Sequence, residues 1–358
     1  MKMMVNPLAL KRVLDYFETL KIDSHRCVKN KSSLASCNLC YNVCPTKGLN
    51  YVDGKWEVSE CTLCGRCINL CPMEVFSLDE DKLLANAKDK EVLCLGCHQD
   101  KNTLLPIKIN CFKQLTPELV LLLLSKTKKI VLLVDEEVCG QCQNDWSKEV
   151  LVLLLQRFHL ITEGRLVFET RRESINSFIA EYDASRRDYL KKTYRNFLNQ
   201  GSKVVEGELK NKNLAIKEEE KLLKRIHLFK AYKDNYIKEA SLPYPLLEVR
   251  HCHFCGACTT LCPTQALKIV ETMKDDIVNK HLLFHPTLCT QCKLCEDICM
   301  SKGIFWGDFI RQELFFLGKW LEVARGEKKI CQGCKQDFFD YEDETMCYFC
   351  RKRDNYKS

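Results

Sequence analysis

Fifteen of the twenty-five cysteines in this 358-residue chain gather into four clusters of repeating spacing. Cys61, Cys64, Cys67 and Cys71, followed by Pro72, make an unbroken C-x2-C-x2-C-x3-C-P run. Cys252, Cys255, Cys258 and Cys262 with Pro263 make a second. Cys289, Cys292, Cys295 and Cys299 make a third, with Met300 in place of the proline. Such runs are an iron–sulfur signature: three closely spaced thiolates cap one face of a four-iron cube, and the fourth reaches to a neighbouring cube. Zinc sites use separate C-x2-C pairs rather than a triple followed by x3-C-P.

These runs resemble those of two-cluster ferredoxins, in which adjacent motifs exchange their last cysteines. The resemblance implies one cube on Cys252, Cys255, Cys258 and Cys299 and another on Cys289, Cys292, Cys295 and Cys262. In the N-terminal half it implies a cube on Cys61, Cys64, Cys67 and Cys44. The fourth motif is defective. Cys37, Cys40 and Cys44, followed by Pro45, match its last three cysteines, but Leu34 stands where the first should be. A cube on Cys37, Cys40 and Cys71 therefore lacks a ligand. Cys27, ten residues upstream of Cys37, is the expected replacement; a three-iron cluster, His25 or a solvent-exposed site are the alternatives.

High cysteine content also fits a disulfide scaffold, but those are usually short and secreted. The chain starts Met1-Lys2-Met3-Met4-Val5-Asn6-Pro7, without a basic n-region and apolar h-region, which argues against a signal peptide. Its apolar stretches, around Leu119–Leu124, Ile130–Val134 and Val150–Leu155, are too short to cross a bilayer. A cytoplasmic, reducing and anaerobic setting is expected. The formal charge of +7 counts cysteine as neutral. Thiolate-held centres would bring the loaded protein to about −5, so the basicity does not imply nucleic-acid binding.

The expected architecture is α+β and multi-modular. Residues 1–85 hold an N-terminal amphipathic helix over 5–20 and a ferredoxin-like module. Residues 86–165 alternate strand-like Glu91–Leu93, Ile107–Ile109 and Ile130–Val134 with helix-like Thr116–Ser125 and Lys148–Phe158, a pattern for a small α/β module with a mainly parallel sheet. Residues 166–245 form a charged connector without cysteine, with helical runs at 185–192 and 218–225. Residues 246–325 repeat the ferredoxin-like theme, so an internal duplication is expected. Residues 326–358 close the chain.

Five cysteines lie in the α/β module: Cys94 and Cys97, Cys111, and Cys139 and Cys142. Each is expected at or just after the C-terminal end of a strand, where binding sites form in parallel sheets. The pair, the lone cysteine opening Cys111-Phe112-Lys113-Gln114-Leu115-Thr116-Pro117-Glu118, and the final pair resemble the iron–sulfur delta subunit of methyl-viologen-reducing hydrogenase, which links hydrogenases to heterodisulfide reductases. The resemblance covers about seventy residues and implies a [2Fe-2S] cluster held by four of the five cysteines, against zinc or ordinary buried thiols. Finally, Cys331, Cys334, Cys347 and Cys350 form two C-x2-C knuckles typical of a zinc ribbon, so Zn2+ is expected; a rubredoxin-like iron would use similar knuckles.

No C-x3-C-x2-C triple is present, which rejects a radical-initiating enzyme that binds S-adenosylmethionine; no G-x-G-x-x-G helix opening or phosphate loop with lysine is present either, so no nucleotide or flavin site and no catalytic residue is expected. The chain reads as a relay of single electrons with four [4Fe-4S] clusters. Its expected partner is a catalytic oxidoreductase subunit holding molybdopterin, flavin or nickel–iron, in a hetero-oligomer without nucleic acid or transmembrane segment. The alternative is an iron–sulfur assembly or maturation factor for such an enzyme.

Overall fold

The computed structural model describes residues 20–78, 80–87, 90–100, 107–142, 164–170, 241–316, 318–340 and 344–355. The helices expected over 5–20 and Lys148–Phe158 and the charged connector fall, apart from their edges, outside these residues.

In the N-terminal part, strand β1 (Lys21–Ile22) precedes the defective cysteine motif, and the short helix Leu39–Val43 carries part of it. A hairpin follows, β2 (Leu49–Val52) and β3 (Lys55–Val58), turning at Asp53-Gly54. Both turn residues have left-handed backbone, φ 48° and 78°, which Gly adopts freely and Asp tolerates. Helix Arg66–Leu70 carries the second motif, and β4 (Phe76–Ser77) returns to pair antiparallel with β1. Leu49, Trp56, Ile68, Val75 and Phe76 form the apolar core together with Cys27, Cys40, Cys67 and Cys71.

After helix Asp81–Ala87, the middle part is a four-stranded sheet in the order β6-β5-β7-β8, made of β5 (Val92–Cys97), β6 (Lys108–Ile109), β7 (Lys129–Leu133) and β8 (Leu166–Glu169). Every pairing in it is parallel, as the sequence alternation predicts. Helix Pro117–Leu124 packs Leu119, Val120 and Leu123 onto one face of the sheet.

The C-terminal part repeats the N-terminal pairing scheme at larger size. Strand β9 (Ser241–Val249) precedes its first cysteine motif and pairs antiparallel with β12 (Ile304–Arg311), which follows the second. Hairpin β10 (Leu267–Lys274) and β11 (Ile277–Phe284) lies between the motifs. Strand β13 (Leu321–Ile330) pairs with β11 and then with β14 (Asp337–Asp340), carrying the sheet into the terminal knuckles, which end in helix Tyr348–Asn355.

The three parts are in contact. Val28 of the N-terminal part is buried with Leu294 and Ile298 of the C-terminal part, and Met73, Ala257 and Leu261 pack around them. On the other side, the Asn69 side-chain amide donates to the backbone carbonyls of Lys113 (3.2 Å) and Leu115 (2.8 Å) in the middle part. Among the described residues no helix is long and apolar enough to cross a membrane.

Candidate metal centres

The three complete motifs share one backbone geometry. The second residue after the first cysteine has a left-handed φ: Leu63 (52°), Phe254 (55°) and Gln291 (60°). So does the fourth: Gly65 (73°), Gly256 (79°) and Lys293 (61°). Conformations that ordinary side chains avoid recur here because they turn peptide N–H groups inward, forming a nest for negative charge. The amides of Leu63, Phe254 and Gln291 each donate to the sulfur of the first cysteine in their motif, at 3.4 Å. A second device acts at the last cysteine. Val75, Ala266 and Gly303 donate backbone N–H to Cys71, Cys262 and Cys299 at 3.2–3.4 Å. Hydroxyls also approach: Thr46 at Cys44 (3.4 Å), Thr264 at Cys262 (3.8 Å) and Ser301 at Cys299 (3.4 Å).

The thiols regroup across motif boundaries. Cys27, Cys37 and Cys71 are close enough to Cys40 to act on it electrostatically. Cys44, Cys61 and Cys64 do the same at Cys67. Cys252, Cys255 and Cys299 surround Cys258, and Cys262, Cys289 and Cys292 surround Cys295. Burial first, and neighbouring thiolates second, push Cys40, Cys67 and Cys258 up to about 12 and Cys295 further up. Thiols crowded in this way resist ionisation unless a cationic body sits among them, so the donor sets fit metal-bound sulfur better than free thiols. At Cys44 burial is outweighed by the Thr46 hydroxyl and nearby amides, and that thiol lies below its ordinary value.

In the middle part, four of the five cysteines converge at the C-terminal edge of the parallel sheet. Cys97 ends β5, Cys111 follows β6, and Cys139 and Cys142 follow β7. Cys97, Cys111 and Cys142 all bear on Cys139, which burial pushes up to about 12. Asp135 accepts from the Glu137 and Val138 amides (3.0 and 3.1 Å), capping the short helix that carries Cys139. Lys113, itself buried, supplies positive charge next to Cys111. Cys94 is a correction to the sequence reading. Strand β5 starts and ends later than expected, so Cys94 lies mid-strand and packs with Val131 and Leu133. Cys97 belongs instead to the cluster of Leu93 and Leu95. Alternation along a strand sends residues an odd number of positions apart to opposite faces.

The knuckles bring Cys331, Cys334, Cys347 and Cys350 together, with one ligand atom from each within 4.8 Å of all the others. Among the described residues no other set of His, Cys, Asp or Glu is this tight. The spacing suits a single ion. The Cys347 amide donates to Cys331 sulfur at 3.2 Å.

Several residues at these sites had no signal in the spacing. Trp56 donates its indole N–H to Cys27 sulfur at 3.4 Å. His253, beside Cys252, stacks on Tyr348 of the knuckle helix at 4.6 Å and 6°. The indole of Trp306 donates to Glu296 at 2.8 Å, bracing the helix that carries Cys295. Each is a contact between two different elements or loops, not within one motif.

With known proteins the likeness is local. Residues 251–304 match the family model of the 4Fe-4S dicluster domain. No curated protein and no solved structure matches the chain. The matched stretch spans both C-terminal motifs and the hairpin between them, and the chain carries an iron–sulfur module there.

Proposed function

We propose that the chain is an iron–sulfur electron-transfer subunit of a cytoplasmic, anaerobic oxidoreductase complex. In this reading the four ferredoxin-type sets hold four [4Fe-4S] clusters. Cys97, Cys111, Cys139 and Cys142 hold a [2Fe-2S] cluster, and the knuckles hold Zn2+. The 4Fe-4S dicluster match supports the general role. The single observation that carries the reading to the N-terminal half is the grouping of Cys27, Cys37, Cys40 and Cys71 around one point, despite the missing first cysteine of that motif.

When bound, such clusters supply one-electron transfer at little structural cost. The chain's own residues hold the clusters, donate hydrogen bonds to their thiolates, and keep the sets close. Cys40 bears electrostatically on Cys67, Cys258 on Cys295, and Cys64 on Cys111. Cys37 and Cys292 flank the same apolar junction between the two ferredoxin-like parts. A catalytic partner with molybdopterin, flavin or nickel–iron would perform the two-electron chemistry. A maturation factor, the runner-up, hands clusters on and needs accessible ligands. Of the sixteen thiols only Cys61 and Cys255 are exposed, which favours permanent centres.

Anaerobic metal analysis with Mössbauer spectroscopy tests the proposal. About fourteen to eighteen irons and one zinc per chain are expected from these assignments. Zinc in place of iron at the sixteen positions would overturn it.

A further inference from the structure

Each complete motif gives its first cysteine a backbone donor two residues on, namely Leu63, Phe254 or Gln291. The defective motif cannot do this, because its first position is Leu34, which is 65 % exposed. Cys27 comes in from elsewhere, between the 3-10 turns Ser24–Arg26 and Val28–Asn30, with extended backbone (φ −62°, ψ 133°). The donor that reaches its sulfur is a side chain from β3, the Trp56 indole N–H, at 3.4 Å and buried.

That indole is fixed from several directions. Its ring meets Tyr51 at 5.1 Å and Phe76 edge-on at 5.7 Å. The Trp56 backbone N–H donates to the Ser24 hydroxyl at 2.9 Å, tying β3 to the turn that leads into Cys27. The Asn30 side-chain amide donates to the Ser24 and Gly54 carbonyls (2.6 and 2.8 Å), binding the same loop to the hairpin turn. A buried indole N–H is a donor only and requires an acceptor. Here the acceptor is a thiol of the candidate centre.

We propose that Trp56 is a positioning residue that sets the reduction potential of the centre held by Cys27, Cys37, Cys40 and Cys71, acting through its hydrogen bond to Cys27 sulfur. The inference rests on the reading of that set as a [4Fe-4S] site. Reduction adds one electron to the centre, supplied in the test by dithionite; no covalent bond forms or breaks, and the proton stays on the indole nitrogen. An N–H donor withdraws charge from a thiolate sulfur and favours the more negative, reduced form. The donor to Cys27 is a side chain from another element, so a single substitution can address this centre separately.

The experiment is an anaerobic redox titration of the full-length chain followed by paramagnetic resonance. Cys27→Ser should lose or alter one cluster signal. Trp56→Phe, which keeps an aromatic ring in the core, should shift the oxidised-to-reduced ratio of that same signal about three- to tenfold toward the oxidised form, the worth of one ordinary hydrogen bond. The other signals should hold. On unmodified protein exchanged into deuterated buffer, the reduced centre should show hyperfine coupling to the indole deuteron, a readout that needs no variant to fold. If Cys27→Ser removes one signal but Trp56→Phe leaves its potential unchanged, or the deuteron coupling is missing, the role of Trp56 is overturned and the ligand assignment stands. If Cys27→Ser leaves every signal intact, the ligand assignment itself falls and the inference with it.

Discussion

Ser36 and Asp297, 261 positions apart, are joined by two hydrogen bonds: the Ser36 backbone N–H and hydroxyl each donate to one carboxylate oxygen of Asp297, both at 2.8 Å. One residue precedes Cys37 of the defective motif, and the other lies two before Cys299 of the last motif. The pair sits beside the Val28–Leu294–Ile298 cluster, so polar and apolar contacts fasten the two halves at one place. Thr290 adds a hydroxyl contact to Met73 sulfur at 3.5 Å. Met73 occupies the position after Cys71-Pro72 that is Thr46, Thr264 or Ser301 in the other motifs. There the hydroxyl meets the thiol of the motif's last cysteine; here the side chain serves the junction.

Asp297→Ala should therefore loosen the junction without removing any thiol. Both bonds are exposed, so the loss should be about 1–2 kcal/mol, seen as faster amide exchange at Ser36 and a lower melting temperature. Val28→Asp, which buries an unpaired carboxylate, should do more and separate the halves in limited proteolysis. Unchanged exchange at Ser36 in Asp297→Ala would show that the clamp is not formed in solution.

Gly65→Ala should damage the contact between the first and middle parts. A methyl there would sit 2.5 Å from Gln114 Cα and 2.8 Å from its backbone nitrogen, on a residue with φ 73°. Overlap and strain together should cost about 2–4 kcal/mol. The expected result is weaker protection of the Asn69 side chain and, if Cys64 and Cys67 hold a cluster as proposed, loss of its signal. A variant as stable as the parent would mean that the two parts are not packed as described.

The cysteines of the middle part should separate by substitution. Cys139→Ala should lower the iron count by about two if the four converging thiols hold a two-iron cluster. Cys94→Ala should leave iron unchanged and cost only about 1 kcal/mol of packing. Iron loss with Cys94→Ala would reverse the assignment made from the faces of β5.

In the metal-free knuckles, hydrogen bonds from the Cys347 and Cys334 amides hold the Cys331 thiol down to about 6, against an ordinary value of 9.0. A depressed acid contributes stability that is complete above its unfolded value. Stabilisation by this thiolate is therefore full above pH 9 and lost as pH falls through about 6. In chelator-treated protein the thiolate absorbance and the Cys347 amide resonance should titrate together near that pH. Titration near 9 would contradict the amide contacts.

With clusters loaded but no catalytic partner, the chain should accept electrons from dithionite or reduced viologen and should not oxidise hydrogen, formate or a nicotinamide. Bleaching of the visible cluster absorbance by any of those donors alone would reveal an active site of its own.

The sequence by itself determined the local chemistry. A step of three positions from one thiol to the next is set by the reach of one loop around one inorganic face, so C-x2-C-x2-C is an iron–sulfur signature without knowledge of the fold. The alternation of apolar strands with helices likewise required the parallel order of β5, β6 and β7, because such crossovers leave little other choice. Tertiary structure decided what depends on direction and on distant partners. Cys94 and Cys97 look equivalent as a pair, yet a three-residue step along β5 separates their faces. Cys27 carries no motif; what brings it to Cys40 is the turn that Ser24 and Asn30 anchor to β3 and its hairpin. Trp56 and Asp297 are ordinary core and surface residues in the sequence. Their roles come from meeting Cys27 across 29 positions and Ser36 across 261, and no local pattern encodes an encounter that only the packed chain creates.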